Sequence, residues 1–270
     1  MENDIHFISG LPRSGTTLLA AILKQNPALH AGMSGPTGAI FEAMQGALSS
    51  ENEFSFFMDD AQKEAHLKAV FDIHYQGQKG KTVFDTHRVW SAKMPALKAF
   101  YPNSYVFCCV RNVAWIMDSL ERLFAANVLD LSKIFGFERS NTVYSRVDGL
   151  SGGKGLVGFS YNAVKGAFFS EAADRLVLIR YETLTSDPAG TIKKIYDLIG
   201  AKPFGHDFNN IEFSADQFDA RSGTPGLHTI RPKVEAKERQ TILPPDLFNR
   251  FNAQSFWDEP GANIRGVKIW

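Results

Sequence analysis

Cysteine is nearly absent: the 270 residues contain two, the neighbours Cys108 and Cys109, inside the apolar run Tyr105–Val110. Adjacent strand positions point to opposite faces, so these thiols cannot grip one metal together, and no third cysteine offers a disulfide partner. That excludes a disulfide framework and fits buried thiols in a reducing cytosol. An excess of charge of either sign is missing too. Twenty-nine basic residues balance 29 acidic ones, and the pI is about 7.1. This balance argues against broad electrostatic binding of nucleic acid or of an anionic membrane, while leaving room for a local basic pocket. No apolar run approaches the roughly 18 residues of a membrane helix. The opening MENDIHFISG lacks a basic stretch followed by an apolar one, so no secretory signal is expected and the expected location is cytoplasmic. The seven histidines show no H-x-x-x-H spacing, and no metal requirement is expected.

Short buried strands alternating with helices are what the sequence does contain. Ile5–Ser9, Tyr105–Val110 and Leu176–Arg180 read as buried parallel strands, with Thr82–Asp85 a weaker fourth. Each precedes a helical pattern: Leu18, Leu19, Ile22 and Leu23 after the first, then Ala92–Ala99, then Ala114–Phe124. Asp187–Pro188 opens a helix with the apolar face Ile192, Ile195, Tyr196 and Ile199, closed by Gly200. The alternation predicts an α/β fold, a mostly parallel central sheet with helices on both faces, as one domain over 1–270. Residues 34–80 and 127–170 break the rhythm and are expected to be helical insertions on the acceptor side. The Gly- and Ser-rich 127–156 stretch suits a mobile lid. From about residue 203 the Pro- and Phe-rich chain is expected to wrap the core.

FISGLPRSGTTLLAAIL, residues 7–23, is a phosphate loop without its lysine. Gly10, Gly15 and Thr17 occupy the glycine and hydroxyl places of G-x-x-x-x-G-K-[ST], but Thr16 stands where the lysine belongs. The strand, turn and helix start still supply backbone N–H groups and a positive helix end for an anion. Ser14, Thr16 and Thr17 add hydroxyls, and Arg13 restores a charge, one that can fork onto two oxygens. A diphosphate-like or phosphosulfate group suits this turn better than a triphosphate.

Further along, VFCCVRNVAWIMDSLERL repeats the design. Arg111 stands at the carboxyl end of a strand, where open α/β sheets bind ligands. Ser119, a little over two helical turns later, can face the same side. An arginine with a hydroxyl suits a second, separate phosphate monoester; capping a helix or pairing with Asp118 or Glu121 is the plainer role for Arg111.

Together these stretches resemble the nucleotide-dependent sulfotransferases, in the branch that includes bacterial, carbohydrate and tyrosyl-protein enzymes. The resemblance implies the donor 3′-phosphoadenosine 5′-phosphosulfate, with 3′,5′-ADP as product. It makes PRSGTT, residues 12–17, the 5′-phosphosulfate loop, Arg111 and Ser119 the 3′-phosphate pair, and Tyr181 of RYETLTSDPAG a neighbour of the adenine. LHTIRPKVE, residues 227–235, resembles more loosely the strip that covers the donor, with Arg231 and Lys233 as candidate contacts. Sulfuryl transfer implies an in-line displacement by an acceptor hydroxyl, and Arg13 is the candidate to neutralise the leaving phosphate oxygen. FDTHRVWSAKM, residues 84–94, is similar to the Lys-Thr-His of aryl enzymes, with Asp85 in place of the lysine. His87 is thus a candidate base, with a structural role or a carboxylate such as Glu42 as the alternatives.

The 22 phenylalanines, among them Phe54, Phe56 and Phe57, Phe124, and Phe135 with Phe137, fall partly in the unassigned stretches. They either line a pocket for an apolar or ring-bearing alcohol or pack the cores of inserted helices. The expected acceptor is a small-molecule, lipid-like or sugar hydroxyl. Two other readings use the same turn: an ATP-dependent P-loop kinase, and a non-catalytic sulfo-nucleotide-binding protein.

Overall fold

A computed structural model describes residues 4–127, 133–135 and 142–270. The first strand, β1 (Ile5–Gly10), is buried along its whole length, as a strand covered on both faces must be. It leads through a turn into α1 (Thr16–Lys24), after which β2 (Leu29–Ala31), α2 (Thr37–Ala47), α3 (Asp60–His74) and β3 (Thr82–Thr86) follow. A 3₁₀ turn, Arg88–Lys93, precedes α4 (Met94–Phe100). The chain continues through β4 (Val106–Val110), α5 (Val113–Ala126), α6 (Val143–Ser151), α7 (Leu156–Phe169) and β5 (Leu176–Arg180). Next come α8 (Tyr181–Ser186), α9 (Pro188–Ile199), α10 (Asp216–Arg221), α11 (Pro245–Asn252) and β6 (Lys268–Ile269).

All six strands run parallel in the order β2-β3-β1-β4-β5-β6. The chain moves from β1 to one side, fills β2 and β3, and returns to place β4 on the other side. The carboxyl end of β1 therefore lies at the reversal of strand order, where open sheets form a crevice. Alternate side chains feed two cores. Phe7, Val106 and Cys108 pack with α3, α4, α5 and α7 on one face; Ile8, Phe107 and Cys109 pack with α1 and α9 on the other. The adjacent cysteines thus serve opposite faces, and burial pushes both thiols well up from the ordinary range.

The expected strands and the 187–200 helix are present. Asp187 caps α9 by accepting from the Gly190 N–H at 2.9 Å, and Gly200 ends it at φ 69°. Two strands had no readable period, β2 with three residues and β6 with two. The helix expected from Ala92 begins instead at Met94, because Pro95 suits a first turn and His87 caps the 3₁₀ turn before it. Among the described residues no helix is long and apolar enough to cross a membrane.

Candidate active site

The turn after β1 is stitched to the end of β4. Gly10 adopts φ 127°, and a Cβ there would stand 2.2 Å from the Cys109 carbonyl oxygen, so only glycine permits this approach. The Leu11 N–H donates to the same carbonyl at 3.0 Å. The Ser14 hydroxyl is turned inward, reaching the Leu11 and Cys109 carbonyls at 2.5 and 2.8 Å, so Ser14 has only its backbone N–H to offer an anion. Arg13 holds φ 58°, the one non-glycine in the left-handed region among the described residues. Gly15, at φ 99°, starts α1 without a side-chain cap, which leaves the first N–H groups of that helix facing the crevice. Thr16 and Thr17 line the same space.

Three elements bring further groups to this turn. Arg111, just past β4, donates through Nη1 to the Arg13 carbonyl at 3.2 Å and lies 4.2 Å over the Tyr181 ring at the start of α8. Its Nε is buried without a hydrogen-bond partner. Ser119 of α5 accepts from Arg13 Nε at 3.1 Å. The expected phosphosulfate arginine thus touches the expected 3′-phosphate serine. Burial first, and then each other's charge in the case of Arg13, hold both guanidinium groups below the usual arginine range. Neither Arg13 nor Arg111 pairs with a carboxylate among the described residues. The plainer partners for Arg111 are engaged elsewhere: Asp118 with Arg122 and Arg239, and Glu121 with Arg146. Two half-buried arginines without a carboxylate partner, beside an uncapped helix end, are suited to hold an anion.

His87 stands past β3, on the other side of β1 from β4. Its ring packs against α2: a Cβ on Gly38 would lie 2.4 Å from the ring Cγ and Nδ1. The Val89 N–H donates to His87 Nδ1 at 3.3 Å, which places the proton of the neutral ring on Nε2. Burial and the Arg88 charge lower its pKa from the usual histidine value, partly opposed by Asp85 and Glu42. Asp85 itself has no hydrogen bond to His87. It is 1% exposed and accepts from Thr37 Oγ1, Tyr75 OH and Trp90 Nε1 at 2.5, 2.6 and 2.8 Å. Glu42 is exposed, pairs with Lys93 at 3.5 Å and stands outside the cavity.

Arg13, Arg111, Ser119, Tyr181 and His87 open on one cavity of about 900 Å³. The sequence profile of the sulfotransferase family matches residues 6–204. The chain belongs to the sulfotransferase family. Solved structures of the same fold include the sulfotransferase domain from the curacin biosynthetic pathway, at 18% identity over 76% of each chain with TM-score 0.51. A second is the sulfotransferase from Alicyclobacillus acidocaldarius, at 15% identity over 82% of this chain and 92% of that one, with TM-score 0.50. No curated protein matches.

In this sulfotransferase the C-terminal stretch after α9 closes the cavity. Arg231 and Lys233 line it, the latter 3.7 Å from Glu235. Three residues that sequence reasoning passed over line it too. Arg239 is held by the fully buried Asp118 at 2.5 Å and lies 5.6 Å from the Trp115 ring. His228 is tied to Asp219, and Thr86 has a buried hydroxyl with no hydrogen-bond partner. Arg239 and His228 carry no local signal, since their meaning comes from partners over a hundred residues away or across a loop.

The aromatic expectation divides. Phe135 lines the cavity and packs edge-on against Phe124 at 5.6 Å. Phe54, Phe56 and Phe57 do neither of the two things expected of them. They stand exposed on a 3₁₀ turn whose only buried residue is Ser55. Phe137 and part of the expected lid, residues 128–132 and 136–141, lie outside the described residues.

Proposed function

We propose that the enzyme moves a sulfuryl group from 3′-phosphoadenosine 5′-phosphosulfate to the hydroxyl of a small-molecule acceptor and releases 3′,5′-ADP. The observation that carries this reading is the pair of half-buried arginines, Arg13 and Arg111, beside the uncapped start of α1, with no carboxylate partner among the described residues. A lysine-free turn fits a phosphosulfate, and the unpartnered Arg111 Nε with Ser119 fits a second phosphate on the same nucleotide.

The division of labour follows from the sheet order. Residues on the β1, β4 and β5 side bind the nucleotide: the Gly15–Thr17 N–H groups hold the 5′ end, Arg111 and Ser119 the 3′-phosphate, and Tyr181 supports the base and the Arg111 guanidinium together. Arg231 and Lys233 bring further positive charge from the C-terminal strip. The β3 side, with His87, receives the acceptor. Arg13 leaves the Ser119 hydroxyl for the leaving phosphate oxygen, where charge builds during in-line displacement. With Nδ1 engaged by Val89, His87 offers an Nε2–H that can donate to a sulfuryl oxygen; base action at this ring would require it to give up Val89.

Calorimetry with 3′,5′-ADP, 5′-AMP and ATP with magnesium tests the reading. Micromolar or tighter binding of the bisphosphate, with 5′-AMP at least tenfold weaker, supports it. Preference for ATP with magnesium, and no gain from the 3′-phosphate, would overturn it.

A further inference from the structure

A second histidine faces the cavity, and its hydrogen bonds are arranged oppositely to those of His87. Asp219, at 1% exposure, accepts the His228 backbone N–H at Oδ2 (2.8 Å) and approaches His228 Nδ1 with Oδ1 at 2.6 Å. An ionised carboxylate only accepts, so Nδ1 carries the proton and the lone pair sits on Nε2. The side chain is 19% exposed, enough to leave one ring edge open to the cavity. Its other neighbours fix it without taking Nε2: the Phe218 ring meets it edge-on at 5.6 Å, and no hydrogen bond to Nε2 is formed among the described residues.

The ring also stands next to the phosphate turn. The Arg13 guanidinium grips the carbonyls of Gly226 and Leu227, the residue immediately before His228. Consecutive Cα atoms lie about 3.8 Å apart, so the backbone of His228 is anchored within one residue of the arginine assigned to the leaving group. Asp219, which holds the ring, also feels the Arg13 charge.

From this geometry, and resting on the sulfuryl-transfer reading above, we infer that His228 is the general base and Asp219 its positioning residue. The acceptor O–H proton passes to His228 Nε2 as the acceptor oxygen bonds to sulfur. The bond from sulfur to the bridging phosphate oxygen breaks, and its electron pair leaves with 3′,5′-ADP. The Asp219 carboxylate stabilises the resulting imidazolium, which returns its proton to water afterwards. The inward-turned Nδ1 of His87 and the outward Nε2 of His228 thus give the two rings different work: one donates, the other accepts.

Long-range proton–nitrogen NMR of ¹⁵N-histidine-labelled enzyme reads the two tautomers directly, with His228→Gln and His87→Gln as assignments. The expected result is a protonated Nδ1 and bare Nε2 at His228, and the reverse at His87. A protonated Nε2 at His228 would overturn the inference. Turnover of ³⁵S-labelled donor against water and 3-phenylpropan-1-ol supplies the second arm. His228→Gln should lower kcat on the order of a hundredfold or more, with 3′,5′-ADP affinity within about twofold. Added imidazole should restore part of the rate. Asp219→Asn should lower kcat by tenfold or more and move the acidic limb of the pH profile. Wild-type turnover in His228→Gln overturns the inference even if donor binding is confirmed; failure of 3′,5′-ADP to bind overturns the function itself and leaves the tautomer result standing.

Discussion

The Arg111 guanidinium lies 4.2 Å over the Tyr181 ring, and the same ring lies 3.2 Å from where a Cβ on Gly15 would stand. A cation from the β4 end, an aromatic from the start of α8 and the phosphate turn are thereby fixed against one another. Arg111→Ala should remove the discrimination between 3′,5′-ADP and 5′-AMP. A charge-assisted hydrogen bond contributes about 1.5–3 kcal/mol, so the loss is on the order of tenfold to a hundredfold. Arg111→Lys should recover little of it, because an ammonium neither stacks nor forks. Calorimetry on both variants decides.

His6 is buried, accepts the Tyr105 N–H at Nδ1 at 3.2 Å, and burial lowers its pKa from 6.5 to about 4, slightly opposed by Asp4. Its folded value lies below its unfolded value. Above pH 6.5 both states are neutral there and the contribution to stability is complete. As pH falls from 6.5 towards 4 the unfolded chain alone takes up the proton, and about 3 kcal/mol is lost. Urea denaturation at pH 7, 5.5 and 4.5 should show this slope in the wild type and a shallower one in His6→Asn. Equal slopes would count against the assignment.

Asp85 holds three donors from three elements, Thr37, Tyr75 and Trp90. Burial and this carboxylate push the Tyr75 phenol far up, so it stays an O–H donor. Asparagine at 85 offers one oxygen and an amide N–H₂ that faces a donor. Asp85→Asn should therefore lower stability by about 3 kcal/mol, read as a shift in urea midpoint without a change in slope.

Gly38 leaves room for the His87 ring, since a Cβ would stand 2.4 Å from it. Alanine there improves helix propensity by about 1 kcal/mol but overpacks the site at about 1–3 kcal/mol. Gly38→Ala should come out destabilised or neutral, with turnover down more than tenfold because the imidazole is displaced. Unchanged turnover would remove His87 from the acceptor side.

Much of the scaffold was legible because it is local. Strands β1, β4 and β5 are short apolar runs, α9 has a cap at each end, and the turn at residues 10–17 has glycines where backbone must approach backbone. The candidate site was legible in residue type but not in geometry. That Ser14 turns inward and that Arg13 reaches Ser119 depend on how close β1 and β4 come, which no spacing records. Phe54, Phe56 and Phe57 read as buried by composition, yet their turn spends its one inward position on Ser55.

The sequence by itself determined the family, the parallel α/β sheet and the lysine-free anion turn, because short-range pattern and φ preference act within a few residues. Tertiary structure alone decided which cations go unpaired and which histidine nitrogen carries a proton. Asp118, rather than serving Arg111, is used by Arg122 and Arg239, and Asp219 and Val89 give His228 and His87 opposite tautomers. Those outcomes rest on hydrogen bonds formed when separate elements pack, and a partner's identity is fixed by its position in space rather than along the chain.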